Sequence, residues 1–233
     1  MPCSYVLDLF YKYSNFGLNR KIKMFDINKN LIIANTDERF FVWMPPKTAS
    51  VTASLILPKL GFKCYRNNGK HLEPVFMESI HNHSTNFFYG HEDYSFITTL
   101  RNPYSLLSSK YIFFGDRKEL ISHDDFIQYL ENYFYGREDE LKYLQCYNHS
   151  ERIPDYVIRV ENMFEDYLKI PFVVESKLNH SGELSELCGI KNNSTHSKIT
   201  NWKLSYNQTS ADIVYYNFAH IFELGGYDRN SWK

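Results

Sequence analysis

Cysteine is scarce and scattered in this chain of 233 residues: Cys3, Cys64, Cys146 and Cys188 are the only four, and no two form a C-x-x-C pair. That spacing argues against a zinc ribbon and against a disulfide-stapled secreted scaffold, and it fits free thiols in a reducing compartment. Net charge is lacking too. Lys and Arg number 26 against 27 Asp and Glu, a formal charge of −1. The chain has no basic surplus with which to coat nucleic acid, so any anion site has to be local. No apolar run approaches the roughly 20 residues of a membrane-spanning helix. The opening stretch is interrupted by Asp8, Lys12 and Arg20 and does not read as a signal peptide. The expectation is a cytoplasmic protein without a membrane span, in which N-x-S/T triplets such as that at Asn82 are chance. Internal repeats, low-complexity tracts and Gly/Ser linkers are also missing. One domain spanning residues 1–233 is expected, with an irregular lead-in over 1–37 and a core over 38–230.

What the chain has is aromatic mass: 17% of residues, with 19 Tyr and 18 Phe. Hydrophobic residues at 43% and charged residues at 23% match a globular chain with a dense core. Residues 39–44 (RFFVWM) are apolar, β-prone and stopped by Pro45 and Pro46. Residues 51–59 read as a short helix, 62–65 and 95–100 as strands, and 156–160 as a further strand followed by a helix over 161–170. Asn102 and Pro103 open a helix as N-cap and first residue, with Leu107, Tyr111 and Phe114 at helical spacing. A last helix over about 210–224 carries the stripe Ala211, Val214, Tyr215, Phe218 and Phe222, and Gly225-Gly226 stops it. Strands alternating with helices predict an α/β domain with a mainly parallel sheet, whose ligands sit at the C-terminal ends of strands.

Two of those strand ends run into polar chemistry. After Met44 comes PPKTASVTAS, a turn of small and hydroxyl residues leading into a helix. Unpaired N–H groups and the helix dipole favour an anion there, with Lys47 and the hydroxyls of Thr48, Ser50 and Thr52 completing a cradle. An ordinary strand-to-helix turn explains the same residues equally well. The order G-x-x-x-x-G-K-[ST] is absent, so this is not a Walker loop. After Leu100 comes RNPYSLLSSKY, in which Arg101 ends the strand and Ser109 lies about two turns along the helix. A guanidinium and a hydroxyl so placed can grip one phosphate from two sides.

Together the two loops resemble the sulfotransferases that use 3′-phosphoadenosine 5′-phosphosulfate. Their first loop reads P-K-[TS]-[GA]-[ST]-[TS], and residues 46–51 (PKTASV) match it except at the last place. Their second reads R-[ND]-P with a Ser eight residues after the Arg, as Arg101, Asn102, Pro103 and Ser109 do. Within the family the chain is most similar to the carbohydrate branch typified by heparan sulfate 2-O-sulfotransferase. Residues 88–91 (FYGH), 156–162 (YVIRVEN) and 220–227 (HIFELGGY) look like segments of that branch.

The resemblance implies a P-loop-NTPase-like three-layer fold, a central sheet flanked by helices. It implies that Lys47, Thr48, Ala49, Ser50, Val51 and Thr52 hold the 5′-phosphosulfate and that Arg101 and Ser109 hold the 3′-phosphate. Val51 departs from the family's hydroxyl residue. Lys198 and Trp202 are expected in a loop over the nucleotide, for which a solvated surface loop is the rival reading. The acceptor is a hydroxyl, on this likeness that of a saccharide, lying against residues 67–94, and no metal is required. Lacking an anchor, the chain differs from Golgi members and reads as a bacterial or viral protein. Sulfuryl transfer needs a group to stabilise the leaving phosphate, for which Lys47 fits, and a base for the acceptor, for which His91 fits. His71, His81, His83, Glu73 and Glu78 compete for the second role. Arg159 and Glu161 read as a pair bracing the sheet edge. A non-catalytic nucleotide- or glycan-binding module and a P-loop kinase or NTPase are the alternatives.

Overall fold

The computed structural model describes residues 31–45, 48–67, 72–75, 91–114, 122–135, 153–190 and 201–233. They form an α/β fold around a six-stranded mixed sheet. The strands are β1 (Leu31–Asn35), β2 (Phe40–Trp43), β3 (Lys63–Asn67), β4 (Leu72–Val75), β5 (Ser95–Leu100) and β6 (Tyr156–Arg159), in the spatial order β4-β3-β1-β2-β5-β6. Only β2-β5 and β5-β6 are parallel pairs; β1-β2, β1-β3 and β3-β4 are antiparallel. The expected mainly parallel sheet is thus half right. It holds for β2-β5-β6 and fails over β4-β3-β1-β2, where β1 runs antiparallel to both β2 and β3.

The helices among the described residues are α1 (Ser50–Ile56), α2 (Pro103–Phe114), α3 (His123–Phe134), α4 (Met163–Tyr167), α5 (Pro171–Val174), α6 (Lys177–His180), α7 (Glu183–Gly189) and α8 (Gln208–Gly225). Strand alternation divides their packing between the two sheet faces. Ile32, Ala34, Phe41, Trp43, Phe96 and Leu100 face one way, against Tyr104, Leu107 and Tyr111 of α2, Phe126 and Leu130 of α3, and Val214, Phe218 and Phe222 of α8. Ile33, Phe40, Val42, Ile97 and Ile158 face the other way, against Ala53 and Ile56 of α1 and Met163, Tyr167, Val173, Leu178 and Leu184 of α4 to α7. None of these helices is long and apolar enough to cross a membrane.

Local chemistry explains the ends of the elements. Asn102 Oδ1 accepts from the Tyr104 amide at 3.0 Å, the cap expected ahead of Pro103. Ser122 caps α3 through the Asp125 amide at 3.1 Å. Asn207 and Ser210 make a reciprocal capping box at the start of α8. The same helix stops at Gly226, which is left-handed with φ 63°. The Gly226 amide returns to Glu223 O at 3.1 Å and the Tyr227 amide to Phe222 O at 2.8 Å, the two bonds of a Schellman ending. The expected helix over 161–170 is instead a 3₁₀ turn, Val160–Asn162, followed by α4.

Strand β1 falls in what the sequence offered as irregular lead-in. Its turn into β2 is organised by one side chain: Asn35 Oδ1 accepts from the amides of Asp37 and Glu38, both at 3.1 Å, while Nδ2 donates to Leu60 O at 2.8 Å. Phe41 lies at the centre of the sheet, fully buried. Truncating it by Phe41→Ala is expected to cost about 3–5 kcal/mol, read as a lowered urea midpoint with little change in slope.

Candidate functional site

Strands β2 and β5 are parallel neighbours in register from Phe40 opposite Ser95 to Trp43 opposite Thr98. Their C-terminal ends therefore lie side by side. The chain leaving β2 enters α1 on one face of the sheet, and the chain leaving β5 enters α2 on the other. Divergence of this kind opens a crevice at the strand ends, the usual ligand position in open α/β sheets. The crevice is lined by Pro45 and Thr48 from the first turn, Leu100, Arg101, Pro103 and Leu106 from the second, and Phe218 and Ile221 of α8.

The two turns are joined directly. Thr48 Oγ1 donates to Pro45 O at 2.6 Å and meets Thr99 Oγ1 at 2.6 Å. This buried hydroxyl is tied inward, and the turn is held by it. Thr52 is buried as well, and its hydroxyl donates to Ile190 O at 3.4 Å. It joins α1 to the end of α7 and does not replace the hydroxyl missing at position 51. What the first turn offers is backbone. Ala49 stands at the N-cap with φ 61° and no side-chain cap, and the first-turn amides of Ser50, Val51 and Thr52 have no acceptor within the helix. Lys47 and Lys198 lie outside the described residues, and of Ser50 and Val51 the backbone alone is described.

Arg101 is half-buried, and its Nε donates to Ser105 Oγ at 2.9 Å. Burial lowers the guanidinium pKa and the Glu161 carboxylate opposes that shift; an arginine remains a cation throughout. Ser109 is partly exposed one helical turn beyond Ser105, on the same side of α2. Ser105 escaped sequence reasoning, although its place four residues after Arg101 was a usable signal.

The pairing expected of Arg159 with Glu161 is corrected. Arg159 turns to Asp166, with Nε and Nη2 each at 2.8 Å and its amide at 2.9 Å, and Lys169 Nζ joins at 2.6 Å. Glu161 instead accepts from the Asn102 amide at 2.9 Å and from the Tyr227 hydroxyl at 2.9 Å. It therefore belongs to the second turn.

His91 is not brought to the crevice. Its ring packs against Phe41 and Tyr94, and Phe41 pairs with Phe96 near the start of β5. From Phe96 to Arg101 is about 17 Å of strand. A base has to stand within hydrogen-bond reach of the proton it takes, and His91 stands at the opposite end of β5 from Arg101. Glu73 lies on β4, away from the β2-β5 junction, with its backbone alone described. His71, His81, His83 and Glu78 lie outside the described residues. Trp202 packs against the α2-α3-α8 side and edge-on to Tyr206 at 6.2 Å. No group of three or more His, Cys, Asp or Glu among the described residues is arranged to hold a metal ion.

Comparison with protein-family models, with curated proteins and with solved structures finds no match in any of the three.

Burial alone would raise the Asp166 carboxyl, but the bonds from Arg159 and Lys169 outweigh it and hold the group below its ordinary value. A carboxyl depressed in the folded state stabilises above its unfolded value of about 4, and that contribution is lost as pH falls through the folded value. Asp166→Asn is expected to flatten the acid arm of a stability-against-pH curve and to cost about 2–3 kcal/mol at neutral pH, measured by urea unfolding.

Proposed function

We propose that the chain is a sulfotransferase, moving a sulfuryl group from 3′-phosphoadenosine 5′-phosphosulfate to an acceptor hydroxyl, with a saccharide as the acceptor class. The observation that carries the reading is the junction of β2 and β5. The two turns bearing the sulfotransferase-like residues line one crevice and share a hydroxyl–hydroxyl bond, although 51 residues separate Thr48 from Thr99. A P-loop-like fold is part of this reading, supported by the strand-turn-helix course of residues 40–56 and by helices on both sheet faces.

In this reading the donor nucleotide lies outside, across the two turns, since the crevice between them is about 10 Å³, room for one water. The first-turn amides of α1 and the helix dipole hold the 5′-phosphosulfate. Arg101 and Ser109 hold the 3′-phosphate, the guanidinium strengthened by its half-buried setting. Lys47 neutralises charge growing on the leaving phosphate as the S–O bond breaks. The acceptor oxygen attacks sulfur in line, and its proton passes to a base from residues 67–90, among which His71, His81 and His83 are the imidazoles. Positioning and electrostatics then supply most of the rate.

The distance of His91 from the crevice and the inward hydroxyls of Thr48 and Thr52 favour a second reading, a module of the same architecture that holds the nucleotide without turning it over. Two measurements separate them. Titration calorimetry with 3′-phosphoadenosine 5′-phosphate is expected to show binding, weakened about 10- to 100-fold by Arg101→Ala, the loss of one strong charge-assisted contact. Transfer of labelled sulfate to a saccharide panel is expected in the wild type and about 100- to 1,000-fold slower in Lys47→Ala. Binding without transfer over the whole panel selects the second reading, and absence of binding removes both.

A further inference from the structure

Three contacts tie the segment after α8 to the turn that carries Arg101. Tyr227 donates its hydroxyl to one Glu161 oxygen at 2.9 Å while the other accepts the Asn102 amide at 2.9 Å. Asn102 Nδ2 donates to Ser231 Oγ at 2.8 Å. Tyr104 OH donates to Arg229 O at 2.7 Å. Asn102 is therefore held through its amide by Glu161 and through its side-chain nitrogen by Ser231, leaving its oxygen to cap α2.

Tyr227 is itself placed by local structure. The Schellman ending of α8 fixes its backbone, and its ring lies over Gly225, where an added Cβ would come within 2.3 Å of Tyr227 Cε2. Glycine at 225 is thus a packing requirement of the ring above it. Burial and the Glu161 carboxylate push the Tyr227 phenol far above its ordinary value, so it stays a donor.

We propose that Glu161 and Tyr227 are positioning residues for the donor nucleotide: they lock the Arg101-Asn102 turn to the end of α8, setting the guanidinium and the start of α2 at the crevice. This rests on the sulfotransferase reading for the ligand, but not for the linkage. Glu161 touches Asn102 and Tyr227, and both residues act through the turn.

The test uses the full chain and the variants Tyr227→Phe, Glu161→Ala, Glu161→Gln and Gly225→Ala. Amide hydrogen exchange is followed over residues 101–107, with urea midpoints and the Kd for 3′-phosphoadenosine 5′-phosphate. Tyr227→Phe, Glu161→Ala and Gly225→Ala are expected to speed exchange in that stretch. The first two should weaken binding about tenfold, the worth of one hydrogen bond to a charged group, with midpoints close to wild type. Glu161→Gln keeps an oxygen for the Asn102 amide and an NH₂ that can face the phenol oxygen, and it should restore both readouts. Unchanged exchange in Tyr227→Phe and Glu161→Ala overturns the linkage. Faster exchange with unaltered affinity overturns the positioning role. If the wild type binds no nucleotide, the donor reading fails by itself, and exchange alone decides whether the linkage stands.

Discussion

The parallel pairing of β2 with β5 is the constraint on which the candidate site depends. Two parallel strands in register end together, and here the helices that follow them depart to opposite faces of the sheet. Had β5 run antiparallel to β2, Arg101 would stand at the far end from Pro45. The crevice exists because both turns must cover the same sheet edge while their helices diverge. The Thr48–Thr99 hydroxyl bond then fixes the distance between them. It is buried and draws a third partner in Pro45 O, so neither hydroxyl is left unsatisfied.

Polar groups at this edge divide into those that hold the protein together and those that face the crevice. Thr48, Thr52 and Thr98 are buried, and their hydroxyls bond within the protein, Thr98 to Trp43 O. Arg101 is half-buried and lines the crevice, beside the start of α2. A chain of formal charge −1 can still present a strong local cation, because a desolvated guanidinium interacts more strongly than one in water. Glu161 keeps that charge from standing alone and spans to Tyr227, so the end of α8 and the second turn share one hydrogen-bonded unit.

Legibility followed the range of the forces involved. β2, β5, the Asn102 cap and the Gly225-Gly226 stop are local patterns, and each was readable from residues within a few places of one another. β1 was missed because its short apolar run, Leu31 to Ala34, precedes a polar turn whose order comes from Asn35 reaching Leu60, 25 residues away. β4 was missed because Leu72–Val75 contains Pro74, which is tolerated at an outer strand of the sheet. α3 went unread, although Phe126, Leu130 and Tyr133 sit at helical spacing. His91 precedes β5 while Arg101 follows it, and a strand separates its two ends by its own length.

The strand-turn-helix course of both turns, the cap that starts α2 and the glycine ending of α8 follow from residues near in the chain, since these depend on backbone preferences and neighbouring side chains. Packing of the whole domain decides which strands lie side by side, that Thr48 and Thr52 turn inward, that Arg159 takes Asp166, and that Glu161 reaches Asn102 and Tyr227. Those choices are made between residues distant in the chain, where burial and hydrogen-bond satisfaction across the whole core select one partner among several that local sequence permits equally.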